Sequence, residues 1–217
     1  MAIRIKICGI TRFEDAKVAA GLGVDALGFI FYRKSPRYVP PEEAAIIIRQ
    51  LPPFVSRVGV FVDEEFEKVI AIARATGIDT VQLHGTESPR YCNKIPLPVI
   101  KAFSIDPTSD LSLLEQYHVS GLLLDTWAAG RRGGTGRTFD WTIAQAACTK
   151  YDHIILAGGL NPSNIEEALE TVHPYGIDIN SGVEIKPGIK NPRKMLAAVQ
   201  IVRAWDRGEK RHDPFTL

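Results

Sequence analysis

The chain has 217 residues, 45% of them hydrophobic and 24% charged, with a formal net charge of +1. Those are ordinary globular values for one well-packed core, so disordered and fibrous classes drop out, and nothing in the charge balance pulls toward nucleic acid or a membrane surface. The three cysteines, Cys8, Cys92 and Cys148, form no Cys-x-x-Cys pair, and no stretch has the roughly 20 apolar residues of a membrane helix or the apolar core of a signal peptide, so an unexported protein in a reducing cytoplasm is expected.

A first apolar run, Ile3 to Cys8, predicts a strand that ends in a thiol and passes at once into Gly9-Ile10-Thr11, with helical spacing from Glu14 to Leu22. A second strand over Ala26 to Phe31 is followed by Ser35-Pro36-Arg37 and a helix from Glu42 to Gln50. A third over Val58 to Val62 precedes a helix from Glu64 to Thr76. The fourth, Thr80 to Leu83, leads into a stretch with Pro89, Pro96 and Pro98, which makes a poor helix, so this crossover is expected to be short or irregular. Strands over Val99 to Phe103, Gly121 to Asp125, His153 to Ala157 and Gly176 to Ile179 complete the set, with helices over Thr142 to Lys150, Ser163 to Val172 and Pro192 to Trp205. Thr11, Ser163 and Asn191 are candidate N-caps, and Pro192 suits a first helical position. The tail from Gly208 to Leu217 is polar.

The runs are rich in β-branched residues and almost continuously apolar, as parallel strands covered on both faces are. Eight of them alternating with helices, and no Gly-x-Gly-x-x-Gly after the first, favour a single-domain (β/α)8 barrel of the α/β class over an open doubly wound sheet. Residues 1–207 are read as the barrel and 208–217 as a polar C-terminal extension. In such a barrel the loops at the carboxyl ends of the strands build the active site. That filter returns Cys8, Arg37, Asp63, Gln82, His84, Ser104, Asp125, Gly158, Gly159, Asp178, Ser181 and Gly182, mostly polar residues or glycines. After strand seven, Gly158-Gly159 lets backbone N–H groups approach an anion. After strand eight, Ser181-Gly182 adds a hydroxyl and the start of a short extra helix. A glycine pair alone is a tight turn; two such segments at consecutive strand ends point to phosphate.

The runs Lys6-Ile7-Cys8-Gly9-Ile10-Thr11, Ser35-Pro36-Arg37-Tyr38-Val39, Gln82-Leu83-His84-Gly85, Leu123-Leu124-Asp125-Thr126, Leu156-Ala157-Gly158-Gly159-Leu160 and Asn180-Ser181-Gly182-Val183-Glu184 resemble, in order, those of the phosphoribosylanthranilate isomerase family of tryptophan biosynthesis. So do Ala26 to Phe31, Val58 to Val62 and Gly133-Gly134-Thr135-Gly136 with Phe139-Asp140-Trp141. The resemblance implies a (β/α)8 barrel without cofactor or metal. It implies a small-molecule phosphosugar-anthranilate substrate; the near-neutral charge argues against nucleic acid or membrane as partner, and the sequence leaves monomer and homodimer both open. The resemblance also implies an Amadori rearrangement in which Asp125, protonated when substrate is bound, is the general acid and Cys8 the general base.

A thiol with a reference pKa of about 8.5 needs a nearby cation to act as a base near neutral pH, and Lys6, two residues away on the same strand face, is the first candidate. Asp178 is the obvious partner for Lys6, because the eighth strand adjoins the first in a closed barrel; it can alternatively bind a ribose hydroxyl. Arg37 suits bidentate pairing with the anthranilate carboxylate, Gln82 and His84 suit orientation of acid or substrate, and Gly158, Gly159, Ser181 and Gly182 suit the phosphate. Arg131-Arg132-Gly133-Gly134-Thr135-Gly136 reads as a lid. Cys92 and Cys148 read as packing residues. Two other readings share the phosphate loops: another phosphosugar barrel enzyme, and a phosphate-binding barrel without catalysis. The first lacks the metal-ligand histidines or the lysine-glutamate set it would need, and the presence of both Cys8 and Asp125 argues against the second.

Overall fold

The computed structural model describes residues 2–105, 108–125 and 141–209. Eight parallel strands close into a barrel: β1 (Arg4–Ile7), β2 (Ala26–Ile30), β3 (Ser56–Phe61), β4 (Thr80–Leu83), β5 (Val99–Ser104), β6 (Gly121–Asp125), β7 (Ile154–Ala157) and β8 (Gly176–Ile179). Each pairs with its sequence neighbour, and β8 pairs with β1 in the register Lys6 opposite Asp178 and Ile7 opposite Ile179. The helices are α1 (Phe13–Gly21), α2 (Pro41–Ile48), α3 (Phe66–Thr76), α4 (Pro89–Cys92), α5 (Thr142–Lys150), α6 (Ile165–Val172) and α7 (Pro192–Asp206). Among the described residues no helix is long and apolar enough to cross a membrane.

The alternation of side chains along each strand divides the apolar residues between two regions. Ile5, Ile7, Leu27, Phe29, Val81, Leu83, Leu124, Leu156 and Ile177 point outward and are buried under the helices. On the helices Ala16, Ala19, Ala44, Ala73, Ala144, Ala147, Ala168 and Ala198 are buried, alongside larger side chains such as Ile47, Val69, Leu169 and Met195. Inward, Ala102, Leu123 and Ala157 form a separate apolar cluster in the barrel, while Cys8 packs with Ile30 and Val60 in another.

The crossover after β4 is short, as its prolines require: α4 is four residues, capped by Ser88, whose hydroxyl accepts from the Tyr91 N–H. The crossover after β5 is degenerate too: its helical part is a single 3-10 stretch over Leu111–Gln116, which itself contains no proline or glycine. The loop after β4 is fixed by a buried ion pair. Lys101 Nζ lies 3.1 Å from Glu87 Oε2 and donates to the carbonyls of Gly85 and Ala102, while the Glu87 carboxylate accepts from the Asp63 and Gly85 N–H groups. With its polar atoms this well satisfied the pair is tolerable in the core, and it pins the chain immediately after His84.

Two of the three expected caps are corrected. Thr11 donates its hydroxyl to the Gly188 carbonyl and leaves Arg12 at the head of α1. Ser163 donates to Asn161, and Asn164 stands at the start of α6. Both hydroxyls are taken up by loops next to the cavity described below. Asn191 does cap α7, accepting from the Arg193 and Lys194 N–H groups, with Pro192 behind it. Residues 210–217 of the polar tail lie outside the described residues.

Candidate active site

At the carboxyl ends of the strands lies a cavity of about 400 Å³ lined by Cys8, Ile30, Arg37, Val60, Gln82, His84, Asp125, Ala157, Gly158, Gly159, Leu160, Asp178, Asn180 and Ser181. Thus nine of the ten residues expected to do chemistry share one concavity. Gly182 stands just behind the lining, where a Cβ would collide with the Leu160 carbonyl oxygen, so glycine there lets the loops after β7 and β8 touch. Asp63 and Ser104, also at strand ends, do not line it.

Register explains the first cluster. Because Lys6 and Asp178 are direct partners across the β1–β8 seam, the Lys6 ammonium meets Asp178 Oδ2 at 2.7 Å inside the barrel. The other Asp178 oxygen, Oδ1, is buried and makes no hydrogen bond among the described residues. Cys8 follows on the same face of β1, and a Cβ placed on Gly28 would lie 2.7 Å from its Sγ and 3.1 Å from Lys6 Nζ. Glycine at 28 is what leaves room for the thiol and the ammonium together.

The structure supplies the balance that the sequence left open. Burial pushes the Cys8 thiol above its ordinary value, Lys6 pulls it back down less strongly, and Asp178 adds to the rise. Burial also works against the Lys6 charge, but Asp178 and Cys8 outweigh it and hold Lys6 above the ordinary lysine value. The cation is therefore present where expected, but its pull does not outweigh burial, and the Cys8 thiol stands above its ordinary value. Since only the thiolate is alkylated, iodoacetamide labelling of Cys8, followed by mass spectrometry of its peptide, is expected to rise with pH through a midpoint above about 8.5. A midpoint at or below the ordinary thiol value would contradict this balance.

On the facing strands, Gln82 and His84 alternate on β4 and their side chains meet, Gln82 Nε2 to His84 Nδ1 at 3.2 Å. With the Gln82 amide donating, His84 carries its proton on Nε2, which lies 3.6 Å from Asp125 Oδ2 at the end of β6. That approach is too long for a hydrogen bond. The Gln82 carbonyl oxygen is buried without a hydrogen-bond partner among the described residues.

Gly158 and Gly159 have φ of +95° and +66°, a left-handed region where an L side chain is strained. After β8, Ser181–Val183 forms one 3-10 turn whose first N–H groups have no partner inside the turn. Among the described residues the N–H groups of Gly158, Gly159, Ser181 and Gly182 make no backbone hydrogen bond. They form a set of donors at two adjacent strand ends, suited to an anion.

Two residues that sequence reasoning left without a role complete the lining from behind. Arg37 does not project freely: Nε and Nη2 form a fork on the Glu184 carboxylate at 2.8–3.1 Å. Lys190, fully buried, donates to Glu184 Oε1, the Asn180 carbonyl and Asn180 Oδ1. Despite its burial, Glu184 is held below the ordinary carboxylate value by the Arg37 hydrogen bonds and by Lys190. The segment 131–136, read above as a lid, lies outside the described residues. Cys92 is buried in α4 and Cys148 is half-buried in α5, where burial lifts its thiol to about 11; neither lines the cavity.

The family model described as N-(5'-phosphoribosyl)anthranilate (PRA) isomerase matches residues 5–201. N-(5'-phosphoribosyl)anthranilate isomerase of Pelobacter propionicus is 49% identical over 201 residues, which is 93% of this chain and 96% of that protein. The crystal structure of phosphoribosyl anthranilate isomerase from Thermotoga maritima superposes with a TM-score of 0.83 at 40% identity, covering 93% of this chain and 99% of that one. A phosphoribosyl anthranilate isomerase solved in complex with reduced 1-(o-carboxyphenylamino)-1-deoxyribulose 5-phosphate superposes with a TM-score of 0.81 at 38% identity, covering 93% of this chain and 99% of that one.

Proposed function

The chain belongs to the N-(5'-phosphoribosyl)anthranilate isomerase family, and on that premise we propose how its residues divide the work. The reaction is the Amadori rearrangement of N-(5-phosphoribosyl)anthranilate to 1-(2-carboxyphenylamino)-1-deoxy-D-ribulose 5-phosphate, a step of tryptophan biosynthesis. Asp125 protonates the furanose ring oxygen, and the C1–O bond breaks to leave an iminium at C1. Cys8 then removes the proton from C2, the electron pair neutralises the iminium, and the resulting enolamine tautomerises to the aminoketone. The observation that carries this reading is that one cavity brings together an acid-base pair and two anion sites: Cys8 and Asp125, Arg37, and the glycine loops after β7 and β8.

The phosphate sits on the N–H groups of Gly158, Gly159, Ser181 and Gly182, the anthranilate carboxylate on Arg37, and a ribose hydroxyl donates to the unpartnered Asp178 Oδ1. Gln82 fixes the tautomer of His84, and His84 orients the Asp125 carboxyl. Lys6 stabilises the thiolate once it forms, so Cys8 works as a minority base and kcat/KM climbs with pH toward its raised pKa. All these groups come from one copy of the chain, so the site is complete in a monomer or a homodimer alike. Three unpaired thiols suit a cytoplasmic protein, and residues 1–207 form the catalytic unit.

Loss of phosphoribosylanthranilate fluorescence on adding the purified protein tests the activity; a rate at the spontaneous background would overturn it. Crowding of the thiol supplies a second test. Gly28→Ala places a methyl group against Cys8 Sγ; it is expected to lower kcat by about tenfold and to destabilise the fold by about 1–3 kcal/mol. Unchanged kcat in that variant would show that the position of Cys8 is not critical.

A further inference from the structure

The Arg37–Glu184–Lys190 cluster raises an electrostatic question that the isomerase reading leaves open. An arginine whose charge is already cancelled by a buried glutamate is a poor receptor for a second carboxylate, and the glutamate itself repels an incoming anion. The third member resolves this. Lys190 places three acceptors around its Nζ, one of them Glu184 Oε1 at 2.9 Å, which matches the three N–H donors of an ammonium. Gly188 N–H adds a fourth donor to the same carboxylate, at 3.2 Å from Oε1. Two cations thus share one anion and the cluster keeps a formal charge of +1. Because Lys190 is sealed from solvent while Arg37 lines the cavity, the surplus charge is presented on the arginine.

The fork also fixes direction. Glu184 engages Nε and one N–H of Nη2, and among the described residues Nη1 makes no hydrogen bond, so the second parallel edge of the guanidinium, Nη1 with the other Nη2 hydrogen, is the one left for a ligand. A loop arginine free to rotate would lose side-chain entropy on binding; one already clamped does not. Packing around Gly9 tightens the clamp, since a Cβ there would lie 2.8 Å from Arg37 Cδ and 2.7 Å from Asn180 Oδ1.

We propose that Glu184, anchored by Lys190, is a positioning residue that holds Arg37 edge-on to the cavity and thereby sets the preference for a ligand carrying an aryl carboxylate. The inference rests on the reading above that Arg37 receives the anthranilate carboxylate. Neither residue touches substrate; both act through Arg37.

The test compares inhibition by the reduced product analogue, 1-(2-carboxyphenylamino)-1-deoxyribitol 5-phosphate, with inhibition by its phenylamino counterpart lacking the carboxylate. Wild type is expected to prefer the carboxylated compound, and Glu184→Gln to lose about tenfold of that preference. In Glu184→Gln, KM is expected to rise while kcat stays within about threefold of wild type, because the acid and base are untouched. Glu184→Asp, which keeps the charge beside Lys190 but withdraws it from Arg37, is expected to shift the preference the same way and serves if the glutamine variant does not fold. A full preference retained in either folded variant overturns the inference. So does equal weakening of both inhibitors, which is what a merely structural role would produce. Absence of any preference in wild type overturns instead the assignment of Arg37 on which the inference stands.

Discussion

Cys8→Ala is expected to cut kcat by at least about 10²-fold, close to 2.7 kcal/mol of transition-state stabilisation, with little change in KM. The side chain stands just past the end of β1, on the Lys6 face and against Gly28, and the other two cysteines do not line the cavity. Alanine removes only the sulfur, from a small cluster with Ile30 and Val60, so the barrel should tolerate the change at a cost of about 1 kcal/mol. A large loss of turnover in a protein that still melts cooperatively therefore reports chemistry. Cys8→Ser should be nearly as slow, since a hydroxyl in the same buried place is a far weaker acid than the thiol and yields its anion less readily. Steady-state turnover with near-wild-type kcat in Cys8→Ala would remove the thiol from the mechanism.

Asp125→Asn is the second large effect, also at least about 10²-fold in kcat. The carboxamide keeps the shape of the side chain and can still face His84, but it cannot hand a proton to the ring oxygen. The stability of this variant is expected to match wild type within about 0.5 kcal/mol, because Asp125 stands at the strand end, partly exposed to the cavity, rather than in the core. His84→Asn should cost less than either, because His84 acts on the acid and not on the substrate. Undiminished kcat in Asp125→Asn would assign the acid elsewhere.

Much of the fold could be read from the chain because parallel barrel strands advertise themselves. All eight apolar runs became strands, with ends displaced by only a residue or two. The largest displacement is at β3, which begins at Ser56 because Ser56 and Arg57 are held by Asp79 rather than by apolar packing. The degenerate crossover after β5 was not legible, since Leu111–Gln116 itself holds no glycine or proline to mark it as a single 3-10 stretch.

At the site, adjacency of the first and last strands was enough to anticipate the Lys6–Asp178 pair. The Arg37–Glu184 fork was not, because it joins residues 147 apart through two loops. Lys190 was hidden for a different reason: lysine is almost never fully buried unless paired, and its pairing is visible only once the β8 loop folds back under Arg37. The charge balance at Cys8 stayed open in the sequence for a third. Residue identity revealed the cation, but burial decides the balance, and burial belongs to the assembled barrel.

The division of labour between Cys8 and Asp125 is tested most directly by the deuterium isotope effect on kcat with substrate labelled at ribose C2. In Cys8→Ser, where proton removal from C2 becomes the slow step, a full primary effect is expected; in Asp125→Asn, where ring opening is slow, the effect should fall to near unity. The same large effect in both variants, or its absence from Cys8→Ser, would contradict the assignment of base and acid.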